Sequence, residues 1–398
     1  MLSVQSASAI VLEKAADFGV ESVPITEVIG RVLAKPLFAD RDFPPFDRVT
    51  MDGIAIHYQS FAEGQREFPI VGMQAAGAPQ FILQNHRHCL EVMTGAMLPQ
   101  NTDTVIRYED LEIKDGVAKV IEETIKIGQN IHIQGIDQKK GEMVVPANRL
   151  ISPAEVGVAA TIGKATLQVK KLPRVVIIST GDEIVEIEKM PLPHQIRSSN
   201  SYTIQSFLNK WKIQATRLHL PDERNSTIQG LQQALSDFDV VLLSGGVSEG
   251  KLDYVPDALA TLGVQKLFHK VQQRPGKPFW FGKTLEGKII FALPGNPVSA
   301  FICTLRYFEP WLRKSLGLDM LKNKFAVLNE DIHFKPNLTY FLQIRLESNE
   351  IGHLLAIPLE GGGSGDLANL TEADGFLELP AGKDVYEKGS VFPLWTYR

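Results

Sequence analysis

Along this chain the spacing of hydrophobic positions changes several times, and each change predicts a different kind of element. In LSVQSASAIVLEKAADFG, near the N-terminus, apolar residues return every three or four positions around Glu13, Lys14 and Asp17, which predicts an amphipathic helix. A short extended piece follows in ITEVIGRVLAKPLFA, and the prolines of Phe43-Pro44-Pro45-Phe46-Asp47 mark a crossing between domains. From about 48 to 138 the pattern shortens to strands: GIAIHY, FPIVGMQAAG, HCLEVMTG and DTVIRYEDLEIKDGVAKV. Asp115-Gly116 between alternating runs predicts a hairpin turn. ISPAEVGVAATIG then predicts a helix capped by Ser152, with Pro153 first and Glu155 in the opening turn.

After KLPR the texture changes again. RVVIISTGDE, IQATRLHLPD, DVVLLSGG and KIIFALPGN read as strands. Helical patterns near 201–210, 224–236, 254–262 and 298–316 separate most of them, and LFHKVQQRPGKPFWFG is a further extended piece. Such alternation predicts a largely parallel sheet with helices on both faces. From about 319 the chain returns to short strands ending in LELPAGKDVYEKGSVFPLW, a small all-β tail. The expected fold class is therefore a multidomain α/β protein with a β-rich insertion and a β tail.

Composition narrows the classes of function. With 398 residues, two to four domains are expected. A hydrophobic content of 44% and mean hydropathy of −0.03 fit a globular chain with material for several cores. A net charge of −5 and pI near 6.0, with no long basic run, argue against a nucleic-acid binder. The cysteines, Cys89 and Cys303, are too few for a zinc site or a disulfide framework, so buried thiols in a reducing compartment are expected. No apolar segment reaches the roughly 18 residues of a membrane span, and the N-terminal helix is no signal peptide, so the cytoplasm is the expected location.

Candidate chemistry collects at the ends of the α/β strands, where ligands bind in open sheets. These ends carry Gly181 and Glu183, then Asp222, then Gly245, Gly246 and Ser248 with Asp253 beyond, and finally Pro294-Gly295-Asn296-Pro297. Asn296 is suited to cap a helix starting at Pro297 and running past Ser299, whose positive end favours an anion. Paired glycines permit close backbone approach. Glu183, Asp222 and Asp253 beside a phosphate would repel it, and a hard cation such as Mg2+ would relieve the conflict. Arg274 and Lys277, on the Pro275-Gly276 turn, add two cations suited to an oxyanion. Taken singly, each acid is more simply a cap or surface charge; their shared position at strand ends distinguishes them.

Two motifs are decoys. Gly276 to Lys283 has five residues between its glycines where a P-loop needs four. Gly246-Val247-Ser248-Glu249-Gly250 matches a serine-hydrolase elbow, but Ser244-Gly245-Gly246 separates Ser248 from the strand, and His269, His333 and His353 are scattered.

Together the motifs resemble the molybdopterin molybdenumtransferase family, which includes the gephyrin E domain. They run in order from Thr50-Met51-Asp52-Gly53, Met93-Thr94-Gly95-Ala96 and Gly135-Ile136-Asp137 through Ser179-Thr180-Gly181-Asp182-Glu183. Ser244-Gly245-Gly246-Val247-Ser248, Pro275-Gly276-Lys277-Pro278 and Leu293-Pro294-Gly295-Asn296-Pro297 follow. The resemblance spans nearly the whole chain. It implies a homodimer with a discontinuous dimerisation domain (1–41 and 139–172) and a β-rich insertion (42–138). The other two domains would be a three-layer α/β molybdopterin-binding domain (173–318) and a C-terminal β-barrel (319–398). It implies a site between subunits to which Asp52, Thr94 and Asp137 contribute, acting with Glu183, Asp222 and Asp253. The implied reaction is Mg2+-dependent insertion of molybdate into adenylyl-molybdopterin with release of AMP, and the adenylyltransferase that supplies the adenylate is an implied partner.

The chain departs from the family pattern in two places. Arg274 stands where lysine is usual, and the tail reads Leu338-Thr339-Tyr340-Phe341-Leu342-Gln343 where arginines are common, leaving Arg345 as a substitute. A non-catalytic dimeric scaffold of the same fold is the main alternative. A serine hydrolase using Ser248 is a more distant one, and tungstate in place of molybdate is a third.

Overall fold

The computed structural model describes residues 1–247, 253–319, 324–361 and 363–398. The chain divides into two compact units: one of Met1–Ala34, Asn148–Ser152 and Thr166–Arg398, the other of Lys35–Ala147 and Pro153–Ala165.

In the larger unit a six-stranded sheet runs in the order Thr216–Leu220, Val175–Thr180, Val240–Ser244, Ile289–Leu293, Trp280–Lys283, Gln265–His269. The first four strands pair in parallel, Trp280–Lys283 pairs antiparallel to Ile289–Leu293, and Gln265–His269 pairs antiparallel to Trp280–Lys283. Apolar runs here conceal a period of two. Val175, Ile177, Val240 and Leu242 enter one core with Ile204, Phe207, Phe291 and Trp311. Val176, Ile178, Val241 and Leu243 enter the opposite core with Leu231, Ala234 and Leu259. The sheet is therefore sandwiched between two helical layers, and all four parallel strands deliver their C-terminal residues to one edge.

The helix expected near 298–316 is three consecutive pieces: α-helix Pro297–Cys303, a π turn Thr304–Phe308 and α-helix Glu309–Ser315. Pro310 has no N–H to give back to the preceding turn, which explains the local change of winding. The N-terminal helix spans Val4–Glu13, with the Ser3 side chain accepting from the Ser6 amide at 3.1 Å.

The tail is a closed five-stranded barrel: Thr339–Ser348, Leu354–Pro358, Lys324–Leu328, Val391–Thr396 and Gly375–Leu379, which pairs back onto Thr339–Ser348. Leu328, Ile344, Ala356, Leu377 and Leu379 fill it.

The smaller unit holds a six-stranded sheet in the order Thr104–Arg107, Gly53–Ile56, Cys89–Val92, Glu67–Gln74, Val117–Val120, Leu111–Lys114. Ile54 and Ile56 face one apolar cluster and Ala55 another, so both faces are covered. A Cβ on Gly53 would lie 1.9 Å from the Ile106 carbonyl oxygen, so only glycine fits there. Asp115 and Gly116, at φ 53° and 74°, form the expected hairpin turn. Cys89 and Cys303 are free and buried, and burial pushes the Cys89 thiol up to about 12. Among the described residues no helix is long and apolar enough to cross a membrane.

Candidate active site

A cleft of about 500 Å³ opens where the parallel strands end. Gly181, at φ 133°, turns the chain so sharply that a Cβ would lie 2.4 Å from the Glu183 carboxylate folded back over it. At the next strand end the Asp222 amide donates to Asp182 Oδ1 at 3.1 Å. Burial pushes the Asp222 carboxyl above the usual range, and the charges of Asp182, Glu183 and Asp253 push it the same way. Glu183, Asp222 and Asp253 thus share one cleft with Gly245, Gly246, Pro294, Gly295, Asn296 and Pro297.

The glycine loops meet closely. A Cβ on Gly245 would stand 2.9 Å from both oxygens of Thr180, and one on Gly246 would stand 2.9 Å from Thr180 Oγ1. That hydroxyl is buried and has no hydrogen-bond partner among the described residues. The Gly245 amide is not free: it donates to the Leu293 carbonyl at 3.2 Å, extending the strand ladder. Amides left free on this loop therefore begin no earlier than Gly246. Ser248 lies outside the described residues.

Asn296 departs from its expected role. It occupies the cap position, but its side chain makes no capping bond and instead donates to Ser364 Oγ at 2.8 Å. The Val298 amide is also taken, by the Ser364 carbonyl at 3.1 Å. With Pro297 lacking an N–H, the helix start offers fewer free donors than its sequence promised.

Arg274, Lys277 and Ser299 do not line this cleft. They line an adjoining one of about 380 Å³, which shares Pro278, Pro294 and Asn296 with the first and is walled on the barrel side by Tyr340, Gln343 and Ser364. The turn bearing the two cations rests on buried Gln273, whose Nε2 donates to the Pro275 carbonyl at 3.1 Å while its Oε1 accepts from the Tyr307 hydroxyl. Arg345 is no substitute for the missing arginines, since it pairs with Glu347 at 2.8 Å and does not line the cavity.

In the smaller unit, Asp52 Oδ1 accepts from the Thr94 amide at 2.6 Å and the Thr94 hydroxyl at 2.7 Å, which holds its carboxyl below the usual range. Asp137 contacts His132 Nε2 at 3.1 Å, while Arg48 reaches His132 Nδ1 at 3.0 Å. A guanidinium only donates, so Nδ1 accepts and Nε2 carries the proton offered to Asp137.

Sequence reasoning missed Thr180, Arg197, Ser198 and Asn200, which all line the first cleft. Ser198, at the cap position of the Ser199–Lys210 helix, is a helix-start signal that could have drawn attention to this end of the sheet.

Comparison with known proteins agrees with this architecture. A profile of the MoeA N-terminal region (domain I and II) matches residues 2–163, one of a probable molybdopterin binding domain matches 176–314, and one of the MoeA C-terminal region (domain IV) matches 326–397. A molybdopterin molybdenumtransferase of Synechocystis sp. is 39% identical over 100% of both chains. The chain belongs to the MoeA family. A molybdopterin molybdenumtransferase of Haemophilus influenzae is 33% identical over 75% of this chain and 73% of its own length. The crystal structure of the molybdopterin biosynthesis MoeA protein from Pyrococcus horikoshii superposes with a TM-score of 0.85 at 27% identity, covering 100% of this chain and 99% of that one. As a MoeA-family chain it therefore carries the multidomain α/β architecture and the terminal barrel that its sequence predicts.

Proposed function

We propose that this chain inserts molybdate into adenylyl-molybdopterin, releasing AMP and the molybdenum cofactor. The observation that carries the reading is the first cleft, where three acids and two glycine loops converge at the ends of parallel strands. The names borne by full-length relatives support it. The loops at Gly246 and Gly295 approach the anionic substrate with bare backbone, while Arg274, Lys277 and Ser299 offer the neighbouring cavity to the second reactant, a small dianion. Glu183 and Asp253 orient a water molecule and take its proton as its oxygen bonds to phosphorus and the phosphoanhydride bond breaks, leaving AMP and the pterin phosphate.

The donor set suits Mg2+. Glu183, Asp222 and Asp253 offer only oxygens, and burial first, then the charges of its acidic neighbours, raise the Asp222 carboxyl. Among the described residues no three metal-binding side chains stand at chelating spacing, so any Mg2+ here would be held by one or two carboxylates, with water and phosphate oxygens completing its shell. Bound there, Mg2+ would neutralise charge on the phosphates.

The same proposal includes a homodimer to which Asp52, Thr94 and Asp137 contribute, a cytoplasmic location, delivery of substrate by an adenylyltransferase, and the division into 1–41 with 139–172, 42–138, 173–318 and 319–398. The test is to incubate the protein with adenylyl-molybdopterin, Mg2+ and molybdate or tungstate, and to follow AMP. E183A and D253A should keep the wild-type circular dichroism and lose AMP release. An unchanged rate refutes their role, and binding without turnover in the wild type favours the scaffold.

A further inference from the structure

One side-chain amide bridges the two glycine loops of the cleft. Asn200 lies in the first turn of the Ser199–Lys210 helix, and its Nδ2 donates to Ser244 Oγ at 2.8 Å and to the Gly295 carbonyl at 2.7 Å. A carbonyl oxygen only accepts, so the Gly295 contact fixes which end of the amide carries nitrogen. Both Nδ2 hydrogens are then used, and Ser244 accepts one of them.

Two consequences follow for whatever occupies the cleft. The Ser244 hydroxyl, having accepted from Asn200, keeps its own proton to give, and among the described residues no acceptor takes it. The Gly295–Asn296 peptide is planar and trans, so pinning its carbonyl also fixes the Asn296 N–H on the opposite side. A single amide thus sets one hydroxyl donor at a strand end and one backbone donor on the Gly295 loop, and Ser244, Gly295 and Asn296 all line the cleft.

We propose that Asn200 is a positioning residue of this site: it presents Ser244 Oγ–H and the Asn296 N–H as donors to anionic oxygens of the pterin substrate. This inference rests on the molybdopterin site proposed above and adds to it a residue that acts through two others.

The test uses the full-length protein and equilibrium titration with molybdopterin, so that it stands apart from turnover. A donor lost to a charged acceptor weakens binding by about 10- to 100-fold. N200A should therefore raise the Kd about 10-fold. N200D should raise it about 100-fold, because a carboxylate repels the Gly295 carbonyl, consumes the Ser244 proton and opposes the anion. S244A should match N200A, and the N200A/S244A double variant should fall well short of the product of the two single effects. With adenylyl-molybdopterin, KM should follow the Kd while kcat stays within about threefold. Strictly multiplicative single effects, or equal affinities for N200A and N200D, would overturn the proposal. So would losses of affinity that merely track a lowered melting midpoint. A wild type that binds the pterin but never releases AMP defeats the enzymatic reading and leaves the Asn200 result decided by the titration.

Discussion

The main-chain amide of Asp222 donates a 3.1 Å hydrogen bond to the Asp182 carboxylate, joining the ends of two paired strands at the rim of the cleft. The bond holds Asp222 where burial and its acidic neighbours push its carboxyl upward. Such an arrangement lowers stability, a cost commonly found where like charges are gathered at a functional site.

Replacing Asp222 by Asn should therefore separate stability from function. A carboxyl whose folded pKa is raised binds protons more readily in the folded state, so its ionisation lowers stability as pH rises from about 4 through the folded value. D222N should raise the melting midpoint by about 1–2 °C near neutral pH, and that gain should vanish as pH falls toward about 4. AMP release should drop by about 100-fold or more. Differential scanning fluorimetry across pH, with the release assay beside it, checks both, and a destabilised D222N would contradict the account.

Asp239, at the opposite end of the sheet, has the reverse sign. Burial opposes its charge, yet bonds from the Arg174 amide at 3.0 Å, the Arg174 guanidinium at 3.0 Å and Lys288 at 3.3 Å outweigh burial and hold it at about 2. Its contribution is complete above the unfolded value of about 4 and is lost as pH falls from there toward 2. D239N should cost about 1–2 kcal/mol at pH 7, and the gap from wild type should close as pH falls through that window. Molybdopterin affinity at 25 °C should not move, because Asp239 does not line the cleft.

What the sequence disclosed follows from how local each signal is. Strand-like runs such as VVLLS alternating with helical patterns announced a parallel sheet, and strand ends in an open α/β sheet are binding positions by topology, so the common cleft position of Glu183, Asp222 and Asp253 was legible without coordinates. Partnerships between distant segments were not. Nothing near Asn296 states that its amide serves Ser364, 68 positions away, or that Gly245 spends its amide on Leu293. Asn200 shows the same limit: its helix-start neighbourhood was readable, but its link to Ser244 and Gly295 is purely tertiary. The missing tail arginines were visible as a departure from the family, while the assignment of Gln343 and Ser364 to that wall required the barrel to close.

Arg306, in the π turn, ties the helical layer to the barrel. Its Nε donates to Glu378 at 2.9 Å and its Nη1 to Ser8 on the N-terminal helix at 2.8 Å, while Trp395 Nε1 donates to the same Glu378 at 2.8 Å. Side-chain exposures of 11% and 7% place the pair in low dielectric, where removing one partner strands the other's charge. E378A should destabilise by about 3–5 kcal/mol. E378Q, which keeps acceptor and size, should cost visibly less, and urea unfolding of the two variants gives the comparison. Equal losses would mean that packing rather than charge holds this joint.

Gly276 offers the sharpest separation of backbone strain from steric conflict. It sits at φ 92°, and an added Cβ would stand 2.5 Å from Gln273 Nε2 and 2.8 Å from Cys303 Sγ, both on buried side chains. Gly128, at φ 76°, has nothing within 4 Å of the same virtual atom. Alanine at 128 should therefore cost only the left-handed backbone penalty of about 1–2 kcal/mol. Alanine at 276 should add displacement of the Gln273–Tyr307 pair and cost about 3 kcal/mol or more. Because that pair supports the turn carrying Arg274 and Lys277, G276A should also raise the KM for molybdate about 10-fold or more, while G128A leaves it unchanged. Urea midpoints and molybdate titrations of the two variants give the readout. Equal stabilities for G276A and G128A would show that the buried pair yields without cost and does not hold the basic turn in place.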